Sequence, residues 1–212
     1  VAALVATYRG SSPPNSQGRA EAAHSFAASE RHTSRLIGLF ADWAAMLARA
    51  HEEGFTHREV EARRLLIGSD GKPWTPGFGL AWAGTRIPGH RMRGLRFHGL
   101  APEVAGEVQS PVTWSADIFG LAMALTESLT LAGDDELSSA STPPSLRARE
   151  LLARLPKVLP GALVNTLTSA LEPHPQKRTR QMAEFAASLR DAVGIAPLRQ
   201  SLRRIFGRRS DS

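Results

Sequence analysis

Apolar residues recur at three- and four-residue spacing over 34–52, and this spacing predicts an amphipathic helix. Ser34 stands where an N-cap is expected, and Gly54 follows the last turn as a stop signal. The apolar stripe consists of Leu36, Leu39, Phe40, Trp43, Leu47 and Ala50. Weaker versions of the same pattern predict further helices near 116–130, 145–155, 161–171 and 180–193.

Two short strands are predicted around 65–68 and 73–76, with Asp70-Gly71 between them as the turn of a hairpin. The β content should therefore be low, and the predicted class is mainly α (α+β), a helical bundle with short β-hairpins. The helices over 34–52 and 116–130 should form the central packing layer. Their inward-facing residues are expected to be Phe40, Trp43, Leu47, Ile118, Leu121 and Leu125.

The composition fits a folded body without disulfide bonds. With 212 residues, of which 42% are hydrophobic, the chain is long enough to bury a core. No apolar run approaches the roughly 18 residues that span a bilayer. The absence of cysteine excludes a thiolate metal site and suits a cytoplasmic location.

The net charge of +6 comes mostly from arginine. Because these arginines are dispersed and no aromatic platform accompanies them, we expect no nucleic-acid binding. The tail over 196–212 is different, since Leu198, Leu202, Ile205 and Phe206 recur at helical spacing between basic residues. Such a tail could lie on an anionic membrane surface, at the inner face of a membrane, or be a linker. Its arginines are Arg199, Arg203, Arg204, Arg208 and Arg209.

Three short motifs carry the functional signal. They are, in order, His57-Arg58-Glu59, Pro76-Gly77-Phe78-Gly79 and Ala101-Pro102-Glu103. Together they resemble the H-R-D-L-x-x-x-N catalytic loop, the D-F-G metal loop and the A-P-E segment of protein kinases, at similar spacing. The chain thus resembles the large, C-terminal lobe of bacterial Ser/Thr protein kinases.

The resemblance fails at the positions that carry the chemistry. The family's catalytic Asp, loop Asn and D-F-G Asp correspond here to Glu59, Arg64 and Gly77. Glu61 stands where Ser/Thr kinases usually place a Lys that steadies the transferred phosphate. Magnesium needs oxygen ligands, and neither guanidinium nor glycine supplies a side-chain oxygen, so no metal site is expected. The extra methylene of Glu59 would displace its carboxylate by roughly 1 Å, which can cost about 10²-fold in rate.

The residues that match the family are those that serve packing, turn geometry and anchoring. They are His57, Arg58, Phe78, Gly79, Ala101, Pro102 and Glu103. The resemblance further implies that Asp117, in Trp114-Ser115-Ala116-Asp117, hydrogen-bonds the backbone of the catalytic loop. It also implies that Arg178 forms a buried ion pair with Glu103.

The other histidines suggest no metal site, because none has a histidine or carboxylate partner at ligand spacing. His51, His90, His98 and His174 are therefore interpreted as structural or exposed. Arg58, which in the family often binds a phosphate, is expected to serve local packing or to bind a carboxylate.

The predicted organisation is a hinge-like remnant or linker over 1–33, the kinase-like lobe over 34–195 and the basic tail over 196–212. Nothing upstream of Ser34 resembles the G-x-G-x-x-G loop, the V-A-I-K strand or helix C, so the small lobe is expected to be absent from this chain. It would lie upstream in a longer polypeptide or have been lost.

Three functions are compatible with these features. The first is a catalytically inactive kinase-like (pseudokinase) domain that needs no cofactor and binds another protein through the large-lobe surface, as a regulatory or signalling module. The second is a divergent active Ser/Thr kinase that uses Glu59 as base and an upstream small lobe. The third is an anchor to a membrane or nucleic acid through the tail.

Overall fold

The computed structural model of the protein describes residues 30–75, 82–83, 99–130 and 142–194. The helices within these ranges are α1 Glu30–Glu52, α2 Pro102–Ala105, α3 Ser115–Thr130, α4 Pro144–Ala153, α5 Gly161–Ala170 and α6 Met182–Ala192. The strands are β1 Phe55–Thr56, β2 Leu66–Ile67, β3 Pro73–Trp74 and β4 Trp82–Ala83, and two 3₁₀ turns span Ala62–Arg64 and Pro175–Lys177. The described part of the chain is mostly helical, as predicted.

Helix α1 begins one turn earlier than predicted, at Glu30. Ser34 is therefore inside the helix, and its assignment as the N-cap was wrong. The apolar stripe extends backwards, since Thr33 is buried in line with Ile37 and Phe40, and packing of that face favours a longer helix. The helix also crosses the predicted domain boundary at residue 33. Gly54 ends it as expected, with a φ of +83° that suits glycine.

Helix α3 lies at the centre of the helical layer and is buried on nearly all sides. It packs against α1, α4, α5 and α6, while α1 packs along α6. The six residues predicted for the central layer have no exposed surface. Phe40 and Trp43 meet edge to face, with ring centroids 5.2 Å apart. The periodicity of the sequence therefore identified the core correctly.

The predicted hairpin is present. β2 and β3 pair antiparallel, Leu66 opposite Trp74 and Ile67 opposite Pro73. The turn is closed by the Gly68 N–H, which donates to the Lys72 carbonyl at 2.8 Å, and Gly71 takes a φ of +76°.

A second antiparallel pair, β1 with β4, was not predicted. It joins Phe55 to Ala83 and Thr56 to Trp82, so its partners are far apart in sequence and each strand has only two residues. Strands this short leave no period-two pattern to detect. β1 leads directly into residues 57–64, where the functional residues are concentrated.

Candidate functional site

The loop after β1 carries the catalytic-loop positions of the resemblance. His57 has no exposed surface, and its Nδ1 accepts a hydrogen bond from the Glu59 N–H at 3.2 Å. Arg58 has a φ of +67°, a left-handed conformation that is uncommon for residues other than glycine. Such a conformation persists only when the surrounding contacts hold it in place.

Asp117 supplies those contacts from the first turn of α3. Its Oδ2 accepts the His57 backbone N–H at 2.7 Å, and its Oδ1 accepts the Arg58 N–H at 2.6 Å. The contact between Asp117 and the loop backbone that the resemblance implied is therefore present. A carboxylate that accepts backbone N–H groups makes strong, charge-assisted bonds.

His51 is a third partner of Asp117, which the sequence did not reveal. Its Nε2 donates to Asp117 Oδ2 over 2.8 Å, and the imidazole is nearly buried. The sequence showed no carboxylate partner for His51 at ligand spacing, because 66 residues separate it from Asp117 along the chain, and the bond gives His51 a structural role. Only the packing of α1 against α3 brings the two together.

Glu103 and Arg178 form the buried ion pair that the resemblance implied. Both nitrogen–oxygen distances are 2.7 Å, and neither side chain is exposed. The remaining guanidinium hydrogens donate to the carbonyl oxygens of Glu172, Pro173 and Ser115. The pair is thus bidentate, and Arg178 has partners on every side, as a buried charge requires. We call Asp117, Glu103 and Arg178 the anchor network.

Two glycines allow the loop to approach α3 closely. A Cβ atom on Gly120 would lie 2.6 Å from the Val60 carbonyl oxygen, and one on Gly99 would lie 2.5 Å from the same atom. Both distances are shorter than real Cβ contacts, so only glycine fits at either position without movement of the loop backbone. Sequence reasoning did not identify Gly120, because a single glycine in a helix has no distinctive pattern.

The residues at the positions where the resemblance fails contact one another. The Arg64 Nη1 donates to Glu59 Oε2 at 3.0 Å, and its Nε donates to Glu61 Oε1 at 3.1 Å. The 3₁₀ turn Ala62–Arg64 makes this possible, since residues three apart in such a turn lie one above the other. We call Glu59, Glu61 and Arg64 the loop cluster. The sequence showed each change separately, and the structure joins them into one ion-pair group.

The loop cluster does not fit the magnesium ion that the kinase resemblance implies. At the position of the loop Asn stands a guanidinium, which offers only N–H donors and a fixed positive charge. The carboxylate oxygens of Glu59 and Glu61 that face it are already accepting hydrogen bonds from Arg64. Within the described ranges, no group of three or more His, Asp or Glu side chains is arranged to hold a metal ion.

Several predicted residues lie outside the described ranges. They are Gly77, Phe78 and Gly79, His90 and His98, and the basic tail. Ala101 and Pro102 are described and buried, at the start of α2. His174 precedes the second 3₁₀ turn, Pro175–Lys177. Of the helices that the structure describes, none is both long and apolar enough to cross a membrane.

Comparison with known proteins agrees with this geometry. No model of a known protein family matches the chain. The chain is 27% identical over 179 residues to the serine/threonine-protein kinase PknD of Mycobacterium tuberculosis, an alignment that covers 79% of this chain and 26% of that protein. It is 27% identical over 169 residues to the serine/threonine-protein kinase PknH of Mycobacterium bovis, covering 75% and 27%. The chain therefore spans about a quarter of the length of these relatives. These similarities support a distant relationship to Ser/Thr protein kinases and a kinase-like domain in this chain.

Proposed function

We propose that this kinase-like domain does not transfer phosphoryl groups and that it works as a protein-binding or regulatory module. The observation that carries the proposal is the loop cluster. The side chain at the position of the catalytic base, Glu59, is engaged by the side chain at the position of a metal ligand, Arg64.

The electrostatics of the loop support this proposal. Phosphoryl transfer is catalysed mainly by positioning and by positive charge placed against the phosphates, much of it from magnesium. Here Glu61 puts a negative charge where the resemblance implies a Lys, and the guanidinium of Arg64 is shared between two carboxylates. The positive charge of Arg64 is thus largely neutralised within the loop itself.

The anchor network supports the proposed role as a protein-binding or regulatory module. Glu103, Arg178 and Asp117 are buried and fully engaged, so the lobe keeps a defined shape. If natural selection acts on the folded surface and not on phosphoryl transfer, the contacts of the anchor network are preserved while the catalytic positions change. The surface of the large lobe would then present the binding site for a partner protein.

Thermal unfolding with ATP, with and without magnesium, tests the proposal on the longest native polypeptide that contains this chain. A ligand at about 100 times its dissociation constant adds roughly 2.7 kcal/mol to stability. We expect no shift in either condition, and no transfer of labelled phosphate to a generic protein substrate.

A reversion variant provides the matched control. Glu59→Asp, Glu61→Lys, Arg64→Asn and Gly77→Asp together restore the family's side chains at the changed positions. If the longer polypeptide can present nucleotide, this variant should gain a magnesium-dependent shift that the parent lacks. A magnesium-dependent shift in the unmodified protein would instead favour the divergent active kinase, with Glu59 as base.

A further inference from the structure

The loop cluster places two carboxylates and one guanidinium in direct contact next to the anchor network. We propose that Arg64 is a permanent internal counter-ion of Glu59 and Glu61, which balances their charge and keeps divalent cations away from this loop. This assignment rests on the function proposed above, and it adds why the two carboxylates bind no metal ion.

The burial of the two carboxylates requires a nearby positive charge. The side chain of Glu59 is 7% exposed and that of Glu61 is 13% exposed. Two carboxylates that are largely removed from water repel each other and lose hydration, unless a cation lies close to both. Arg64 lies within 3.1 Å of each, so it supplies that cation from within the chain.

The guanidinium is suited to a permanent role. Arginine remains protonated throughout the pH range in which proteins fold, so its charge does not depend on pH or on a metal concentration. Its separate N–H groups also let one side chain bind two carboxylates at once. Nε binds Glu61, and Nη1 binds Glu59.

The backbone conformation of the loop brings Arg64 next to the two glutamates. The Arg64 N–H donates to the Glu61 carbonyl at 3.0 Å, which closes the 3₁₀ turn and stacks residue 64 over residue 61. Glu59 is in turn positioned by its own N–H on His57 Nδ1, and the His57 N–H is held by Asp117. The backbone that carries the two glutamates is therefore held by the scaffold, which keeps the glutamates close to each other when the guanidinium is removed.

A specific consequence follows for cation binding. With Arg64 in place, a divalent ion approaching Glu59 or Glu61 meets a fixed positive charge and oxygens that are already engaged. With Arg64 neutralised, the same two neighbouring carboxylates offer oxygen ligands to a hard divalent cation.

The experiment measures Mn²⁺ binding by the full chain, using electron paramagnetic resonance of free Mn²⁺ and calorimetry. We expect no saturable binding at millimolar Mn²⁺ for the unmodified protein and at least a tenfold gain in affinity for Arg64→Gln. The matched control is Arg63→Gln, which removes the same charge from the neighbouring, exposed position of the same turn. It should leave Mn²⁺ binding at the level of the parent.

The triple variant Glu59→Gln, Glu61→Gln, Arg64→Gln locates the bound ion. It should lose the binding that Arg64→Gln gains, since its loop has no carboxylate at either position. Equal Mn²⁺ affinity for the parent, Arg64→Gln and the triple variant would overturn the inference, as would saturable binding by the parent that the Glu59 and Glu61 changes abolish.

A second readout keeps the test decisive if Arg64→Gln folds poorly. Arg64→Lys keeps the positive charge on a single nitrogen, which cannot occupy the positions of both Nε and Nη1, so its unfolding temperature should fall and should be raised less by millimolar Mn²⁺ than that of Arg64→Gln. Arg63→Gln should show no rise with Mn²⁺. Failure of Mn²⁺ to raise the unfolding temperature of Arg64→Lys and Arg64→Gln alike would contradict the inference. Neither Mn²⁺ measurement involves ATP. The proposed lack of phosphoryl transfer is therefore tested independently, by the ATP experiments described above.

Discussion

The anchor network and the loop cluster both contain ion pairs, yet these pairs differ in burial. In the anchor network, neither Glu103 nor Arg178 is exposed, whereas in the loop cluster Arg64 is 32% exposed. Removing one partner of a buried pair leaves an uncompensated charge, while a partly exposed pair can fall back on water. Changing a residue of the anchor network is therefore costly in folding free energy. Residues of the loop cluster can be replaced together at lower cost.

Under the function proposed above, this difference accounts for a change of the catalytic positions without a change in the shape of the lobe. At positions 59, 61 and 64, where the resemblance to the family fails, a change of charge at one residue can be balanced by its neighbours in the same group. At positions 103, 117 and 178, where the resemblance holds, the side chains are buried and their polar atoms are hydrogen-bonded to partners in other segments.

The largest expected effect is that of Arg178→Ala. It leaves Glu103 buried and charged without a partner, so we expect a loss of about 3–5 kcal/mol in the free energy of unfolding by urea. Lys72→Ala is the control, because it removes one partner of an ion pair whose side chains are 81% and 56% exposed. A loss from Arg178→Ala no greater than that from Lys72→Ala would remove the distinction between the two regions.

Asp117→Ala should cost about 1–3 kcal/mol, because it leaves the His57 and Arg58 amides without their acceptor. His51→Ala removes only the imidazole and leaves both amides bound, so its cost in the same urea titration should be smaller. An unchanged midpoint for Asp117→Ala would mean that α3 does not hold the loop.

Gly120→Ala tests whether the loop backbone is rigidly held. The new methyl group would overlap the Val60 carbonyl, and overpacking of this kind typically costs about 1–3 kcal/mol. Gly161→Ala is the matched control, as it lies in a helix where an added Cβ meets nothing within 4 Å. Thermal unfolding of both variants should show a lower midpoint for the first alone.

Arg64→Gln should cost about 1–2 kcal/mol in metal-free buffer, because it leaves the largely buried carboxylates of Glu59 and Glu61 without their cation, while residue 64 itself is 32% exposed and open to water. Glu59→Gln combined with Arg64→Gln should recover part of that loss, because the carboxylate that lost its partner is then neutral. Urea titration of the two variants measures the difference. A loss of stability from Arg64→Gln as large as that from Arg178→Ala would mean that the loop cluster is as costly to change as the anchor network.

The smallest expected effect is at the exposed hairpin turn, where Asp70 pairs with Lys72. The Lys72 backbone N–H, and after it the Lys72 ammonium, lower the pKa of Asp70 below its ordinary value of 3.8. A lowered folded-state pKa contributes stability above the unfolded-state pKa, and this contribution is lost as the pH falls through the folded-state value.

Carboxyl NMR titration of Asp70 checks this direction. In Lys72→Ala the backbone N–H remains, so the pKa of Asp70 should rise only part of the way to its ordinary value. Full return to the ordinary value would show that the ammonium, and not the backbone, controls the carboxylate.

Local patterns along the chain determine much of the helical architecture. The periodicity around Phe40, Trp43 and Leu47 identified α1 and its buried face, and Asp70-Gly71 identified the hairpin, because both signals arise from residues a few positions apart. The resemblance to protein kinases, and not a local pattern, implied Asp117, Glu103 and Arg178 as anchoring residues. The start of α1 was misplaced because Ser34 is a suitable cap by composition, and only packing of Thr33 decided the boundary.

Contacts between distant segments were decided by the tertiary structure alone. The pairing of β1 with β4, the bond from His51 to Asp117 and the fit of Gly99 and Gly120 around the Val60 carbonyl all join residues whose separation leaves no trace in a linear pattern. In the loop cluster the sequence determined which charges are present. The turn and the burial of Glu59 determined that these charges bind one another, because side-chain direction is fixed by the folded backbone and not by composition.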